Sequence, residues 1–180
     1  MQNCEGLPLK NLELKVRVPS LDAVVVPGDS VGRREELTQV DTYFEVPRGR
    51  LKLREIFSRG SGAPHTAQLI SYERNEGGGE RWSSYTIFPV SDPKTLRSML
   101  SDTLGVAGEV RKHRLVLLID NVRIHLDSVE GLGSFVEVEA VDAGDAADAW
   151  RRYERVVSLL GLGRFPEVKC SYLDLIARTH

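Results

Sequence analysis

The residues best suited to chemistry stand in short rows of charge at alternate positions. Arg50, Lys52 and Arg54 are separated by Leu51 and Leu53, Lys112 and Arg114 flank His113, and Glu137 and Glu139 flank Val138. Glu13 and Lys15 alternate with Leu12, Leu14 and Val16, while Arg123, His125 and Asp127 alternate with Val122, Ile124 and Leu126. Residues two apart on a strand leave the same face, so each row is a charged face backed by an apolar one. For any single strand this describes the solvated side of a half-buried sheet. Across the set, cations gather in some strands and carboxylates in others, whereas a solvating surface intersperses the signs. Like charges at alternate positions repel. A bound polyanion would relieve the basic rows, because Arg and Lys make charge-assisted bonds to phosphate oxygens. The carboxylate rows offer hard oxygen ligands of the kind Mg2+ or Mn2+ takes. A solvated outer face and a site for a metal-bound polyphosphate both account for the pattern.

These rows need strands to position them, and the periodicities supply strands. Lys10–Val18 alternates with period two. Pro19 breaks it, and Ser20 is placed to cap a short helix through about Val26. Arg33–Leu37 reads as helical. Gln39–Val46 and Arg50–Phe57 form a hairpin over the Pro47–Gly49 turn, and Thr66–Asn75 and Trp82–Val90 form another across Gly77–Gly79. That glycine run lacks the Gly-Lys-Ser/Thr ending of a phosphate loop and is read as a flexible tip. Asp92–Leu104 is a helix with Asp92 as cap and Pro93 in its first turn. The strands Ala107–Ile119, Asn121–Val129 and Gly133–Val141 follow, with turns at Asp120-Asn121 and Glu130-Gly131. The helix Ala143–Leu160 ends at Gly161, and a last helix covers Ser171–Arg178. Seven or eight strands joined mostly as hairpins imply an antiparallel sheet in an α+β fold, with enough strands to close a barrel. His113, Cys170, Trp82 and Trp150 are assigned to packing; Tyr43 and Tyr72 could reach the mouth of such a barrel and are assigned to core or rim packing.

Of 180 residues, 41% are hydrophobic, enough for a core, and a single domain over residues 1–180 is expected. Lys plus Arg number 24 and Asp plus Glu 26, so the chain carries no overall basic field for coating nucleic acid. Cys4 and Cys170 fit no zinc or redox spacing and suggest a reducing compartment. No signal-like or membrane-spanning apolar run occurs, so the expectation is a cytoplasmic protein without a membrane or nucleic-acid partner.

Asn11-Leu12-Glu13-Leu14-Lys15 resembles the E-x-E-x-K signature of the CYTH superfamily. That superfamily comprises the class IV (CyaB-type) adenylyl cyclases, thiamine triphosphatases and related inorganic triphosphatases. QVDTYFEVPRGRLKLRE, LISYERNE, RKHRLVLLIDNVRIHLDSVEGLGSFVEVEAV and KCSYLDLI resemble further blocks in the same order, most closely in the cyclase branch. The resemblance implies an eight-stranded antiparallel barrel, the triphosphate tunnel, with charged faces inward and helices packed outside. It implies Mg2+ or Mn2+ held by Glu13, Asp127, Glu137 and Glu139. It implies a triphosphate gripped by Lys15, Arg50, Lys52, Arg54, Arg74, Lys112, Arg114 and Arg123, with Lys169 completing the ring. Glu13, Lys15, Arg114 and Asp127 are the implied catalytic residues, and the substrate is a small-molecule triphosphate bound by a monomer or homodimer. The implied reaction is conversion of ATP to cyclic AMP and pyrophosphate. Hydrolysis of thiamine triphosphate, tripolyphosphate or a nucleoside triphosphate is the alternative, and polyphosphate or nucleotide binding without turnover a further one. Asn11 replaces the first signature Glu; its amide oxygen can still ligate a metal but brings no charge. His125 then lies among tunnel residues, where it could act as a base; it is assigned instead to donating hydrogen bonds to a phosphate or carboxylate, since the ligand set is complete without it.

Overall fold

A computed structural model of the chain describes residues 9–28, 31–58, 66–73, 82–141 and 144–179. Five strands come first: β1 (Leu9–Val18), β2 (Arg33–Phe44), β3 (Arg50–Ser58), β4 (Thr66–Glu73) and β5 (Trp82–Pro89). After α1 (Pro93–Leu104) come β6 (Val106–Ile119), β7 (Val122–Val129) and β8 (Gly133–Val141), then α2 (Ala146–Leu159) and α3 (Tyr172–Ala177). The strands close into one barrel in the order β1-β5-β4-β3-β2-β6-β7-β8, and every neighbouring pair is antiparallel. Closure is made by β1, which pairs with β5 on one side and β8 on the other, with Glu13 directly opposite Glu139 and Lys15 opposite Glu137.

Local chemistry explains most boundaries. The Asp92 carboxylate accepts from the Thr95 amide at the start of α1, and Asp145 accepts from Asp148 at the start of α2. Asp120 and Asn121 both take positive φ, 48° and 60°, as a two-residue hairpin loop of matching twist demands. At Gly108 the constraint is close approach. A Cβ there would lie 2.6 Å from the end of the Leu173 side chain, so any larger residue would make that side chain shift where α3 packs on β6.

Two segments differ from the sequence expectation. Arg33–Leu37 is strand, not helix: it extends β2 and pairs with β6 from Arg33 opposite Leu118 to Leu37 opposite Arg114. Helix propensity is a weak local preference, and pairing with a distant strand overrides it. The helix expected after Ser20 is a single 3-10 turn, Leu21–Ala23, and Ser20 makes no side-chain cap bond. The Gly77–Gly79 tip and Ala143 lie outside the described residues.

The main hydrophobic core lies outside the barrel. Leu12, Leu14 and Val16 of β1, Ile124 of β7 and Val136 and Val138 of β8 pack beneath Ala149, Tyr153 and Val156 of α2. A second cluster plugs one end of the barrel, where inward-facing Tyr43, Val110, Val129 and Phe135 meet Tyr172 and Leu173 of α3. The rings of Phe135 and Tyr172 meet edge to face, 5.0 Å apart. With apolar faces outward under helices, the charged faces point into the barrel. α1 buries none of its own side chains; the ion pair of Arg97 with buried Glu55 on β3, at 3.0 Å, ties it down. Among the described residues, no helix is long and apolar enough to cross a membrane.

Candidate active site

All eight strands send side chains into one cavity of about 360 Å³. Its lining divides by strand into three walls. β3 and β6 supply a cationic wall of Lys52, Arg54 and Lys112, with Gln39 and Tyr43 of β2 between them. β1, β7 and β8 supply a wall that holds the cavity's carboxylates, Glu13, Glu137 and Glu139, with His125, Lys15 and Arg123 among them. β4 and β5 supply a neutral wall of Gln68, Ile70, Tyr72, Tyr85 and Ile87. Arg114 lies between the first two.

The cationic wall rests on Asp41, which is 1% exposed. Its carboxylate accepts from Arg54 Nε at 2.7 Å, Arg54 Nη2 at 2.9 Å and Lys52 Nζ at 2.9 Å, and Lys112 Nζ lies at 3.6 Å. Burial works to raise the Asp41 carboxyl, yet Arg54, Lys52 and Lys112 together hold it well below the usual range. Burial, with Arg114 beside it, pushes the Lys112 ammonium down to about 7 against the pull of Asp41.

In the carboxylate wall, Glu137 meets Lys15 Nζ at 3.1 Å, Arg114 Nη2 at 2.6 Å and His125 Nδ1 at 3.4 Å. Glu139 meets Arg123 at 3.3 Å and His125 at 3.6 Å. Burial opposes the charge of Glu137, but Lys15 and Arg114 hold its carboxyl well below the ordinary value. One ligand atom from each of His125, Glu137 and Glu139 lies within 4.8 Å of the others. Glu13 is the direct cross-strand neighbour of Glu139. Carboxylates of this density fit a hard divalent cation, and the imidazole tilts the donor set toward Mn2+ over Mg2+.

Nine of the residues expected from the sequence meet in this cavity: Glu13, Lys15, Lys52, Arg54, Lys112, Arg114, Arg123, Glu137 and Glu139. Three stand elsewhere. Asp127 is fully buried and does not line the cavity; Arg114 donates to both of its oxygens and the Tyr172 hydroxyl donates to one at 2.9 Å. Arg50 is turned to α3, where its guanidinium donates to Asp174 at 2.6 Å. Lys169 is exposed: it follows Val168, whose backbone bonds Lys15 and whose side chain packs on the α3 cluster, so the next side chain turns outward. Arg74 lies outside the described residues. Tyr43 and Tyr72, assigned to packing, also line the cavity.

Sequence reasoning missed Asp41, Gln39 and Tyr172. The first two carried a signal, because Gln39, Asp41 and Tyr43 alternate with Val40, Thr42 and Phe44 and so share a face. Tyr172 carried none, since it reaches the cavity from α3. Asp41, Asp127 and Glu137 all ionise below their ordinary values in the folded chain. Each therefore contributes stability that is complete above the unfolded carboxyl values of roughly 4 and is lost as pH falls through the lower folded ones. Urea unfolding midpoints should fall steeply below about pH 4; a midpoint unchanged to about pH 2.5 would contradict these pairings.

The CYTH domain family matches residues 9–169 of the chain. No curated protein matches it. Solved structures do. The PH1012 protein of Pyrococcus horikoshii OT3 is 24% identical with a TM-score of 0.71, over 92% of this chain and 98% of that one. A candidate adenylate cyclase of Vibrio parahaemolyticus is 22% identical with a TM-score of 0.67, over 93% and 97%. A chain of the Schizosaccharomyces pombe Mediator head module is 13% identical with a TM-score of 0.63, over 88% and 97%. At these identities the likeness establishes the fold, and function must be argued from the site.

Proposed function

Because the chain belongs to the CYTH domain family, we propose that it is a divalent-metal-dependent enzyme that holds a triphosphate chain inside the barrel and converts ATP to cyclic AMP and pyrophosphate. The observation that carries this reading is the division of one cavity into a cationic wall and a wall that holds its carboxylates. A polyphosphate needs both, cations for its oxygens and carboxylates for its metal. The neutral wall, with Tyr72, Tyr85, Ile70 and Ile87, suits neither phosphate nor metal. It suits the organic end of a triphosphate ester and so favours ATP over bare tripolyphosphate.

In this reading Lys52, Arg54 and Lys112 grip the phosphate chain. Arg114, aimed by Asp127, and Lys15 face it from the edge of the carboxylate wall. Glu13, Glu137 and Glu139, with His125, would hold a divalent ion, which when bound neutralises phosphate charge and acidifies the attacking hydroxyl. The ribose 3′-oxygen bonds to the α-phosphorus while the bond from that phosphorus to the bridging oxygen breaks. Pyrophosphate leaves with the bonding pair, and the hydroxyl proton passes to solvent. The protein's work is positioning and charge compensation.

The same two charged walls serve hydrolysis, with water attacking the terminal phosphorus, so triphosphatase activity is the second reading. Asn11, a cavity residue without charge where the signature has Glu, favours the third, binding without turnover. The deciding assay offers the protein ATP, thiamine triphosphate and tripolyphosphate with Mn2+ or Mg2+, and measures cyclic AMP, pyrophosphate and phosphate. Cyclic AMP with equimolar pyrophosphate is the expected product. Phosphate release alone would make it a hydrolase, and no product from any substrate would leave a binding module.

A further inference from the structure

Asp41 stands behind the cavity wall rather than in it. It is absent from the lining, yet Lys52, Arg54 and Lys112, the three cations of that wall, all converge on its carboxylate. No substrate atom can reach it without displacing them. We propose that Asp41 is the positioning residue of the phosphate site: from behind the wall it holds Lys52, Arg54 and Lys112 as one clamp aimed at the bound chain. This rests on the triphosphate reading above.

The physics runs through orientation and charge. Lys52 and Arg54 are long side chains on alternate positions of β3, and opposite them in register stand Tyr43 and Asp41. Without an anion between them the two heads repel and lose a common direction. The Arg54 fork onto Asp41 and the Lys52 bond fix both, which lowers the ordering cost of binding. One carboxylate against three cations still leaves the cluster positive, so it orients the clamp without neutralising it.

Lys112 makes the idea testable. It faces Asp41 on β2, Arg54 on β3, Arg114 on its own strand, Asp127 on β7 and Glu137 on β8. Its ammonium and that of Lys15 both lie over the Tyr172 ring of α3. Burial and Arg114 lower its pKa to about 7, and Asp41 is foremost among the groups opposing them. Phosphate prefers the protonated lysine. Removing the Asp41 charge therefore moves proton loss from Lys112 to lower pH, and binding should fail first on the alkaline side.

The test is calorimetric titration of tripolyphosphate, with a chelator present, into the parent and Asp41→Asn between about pH 6 and pH 8.5. The expected result is affinity about tenfold or more weaker in the variant at pH 8, a gap that narrows toward pH 6. Ionisation of the ligand is common to both proteins and cancels in the comparison. In a Lys112→Met background, Asp41→Asn should produce no further pH-dependent change. A purely structural Asp41 would lower the urea midpoint and leave affinity and its pH profile as in the parent, which overturns the proposal. Should Asp41→Asn not fold, Asp41→Glu carries the test. It keeps the charge but displaces it by one methylene, so affinity should drop with the parent's pH profile retained, and unchanged affinity overturns the proposal. If the parent binds tripolyphosphate neither with chelator nor with Mn2+, the triphosphate reading fails and the clamp falls with it.

Discussion

Asp127→Asn should cost about 3–5 kcal/mol of folding stability, the penalty for breaking a buried ion pair from one side. The substitution keeps shape and one acceptor oxygen but leaves the Arg114 guanidinium, itself 5% exposed, short of its strongest partner. Against a total of roughly 5–15 kcal/mol for a domain, that is a large fraction. The urea midpoint should drop with little change in slope. Tyr172→Phe is the control: it keeps the ring against Phe135 but removes the 2.9 Å bond to Asp127, and should cost about 1–2 kcal/mol. The Mn2+ concentration for half-maximal turnover should be the same in Asp127→Asn as in the parent, because Asp127 is fully buried and does not line the cavity. A small stability change joined to a raised metal requirement would reverse that reading and make Asp127 a metal ligand, as the family resemblance implies.

Glu139→Gln should raise the Mn2+ concentration for half-maximal turnover by about 100-fold or more. Loss of a group that merely supports a ligand costs roughly 10–100-fold in metal affinity or activity, and a direct ligand should cost at least as much. Glu139 is the cleaner position for this experiment, since Glu137 also anchors Lys15 and Arg114, so Glu137→Gln would disturb the phosphate side as well. Direct Mn2+ binding, followed by the loss of the free-ion electron paramagnetic resonance signal, gives a readout independent of turnover. Tripolyphosphate binding under chelator should survive in Glu139→Gln, because the cationic wall is untouched. Unchanged Mn2+ binding in both variants would remove these two glutamates from any metal site.

The amino-acid sequence by itself determined which residues share a face. Alternation put Glu137 with Glu139, Lys52 with Arg54 and Lys112 with Arg114, and hairpin turns and caps such as Asp120-Asn121 and Asp92 located most elements within a residue or two. These are short-range properties, set by the two-residue repeat of a strand and by backbone preferences at turns. Only the tertiary structure decided what each charged group meets. A row of cations on β3 implies mutual repulsion when read alone; in the barrel Asp41 answers Lys52 and Arg54 from β2, and Asp174 of α3 draws Arg50 aside. Arg33–Leu37 has helix-favouring composition and became strand because β6 offered it a ladder. Asp127 shares a face with His125 and Arg123, yet Arg114 across the strand pair and Tyr172 from α3 enclose it. Alternation fixes the side on which a side chain leaves its strand, whereas its partner depends on register between strands and on closure of β1 against both β5 and β8. Those long-range choices are made by packing the whole chain, and no local pattern encodes them.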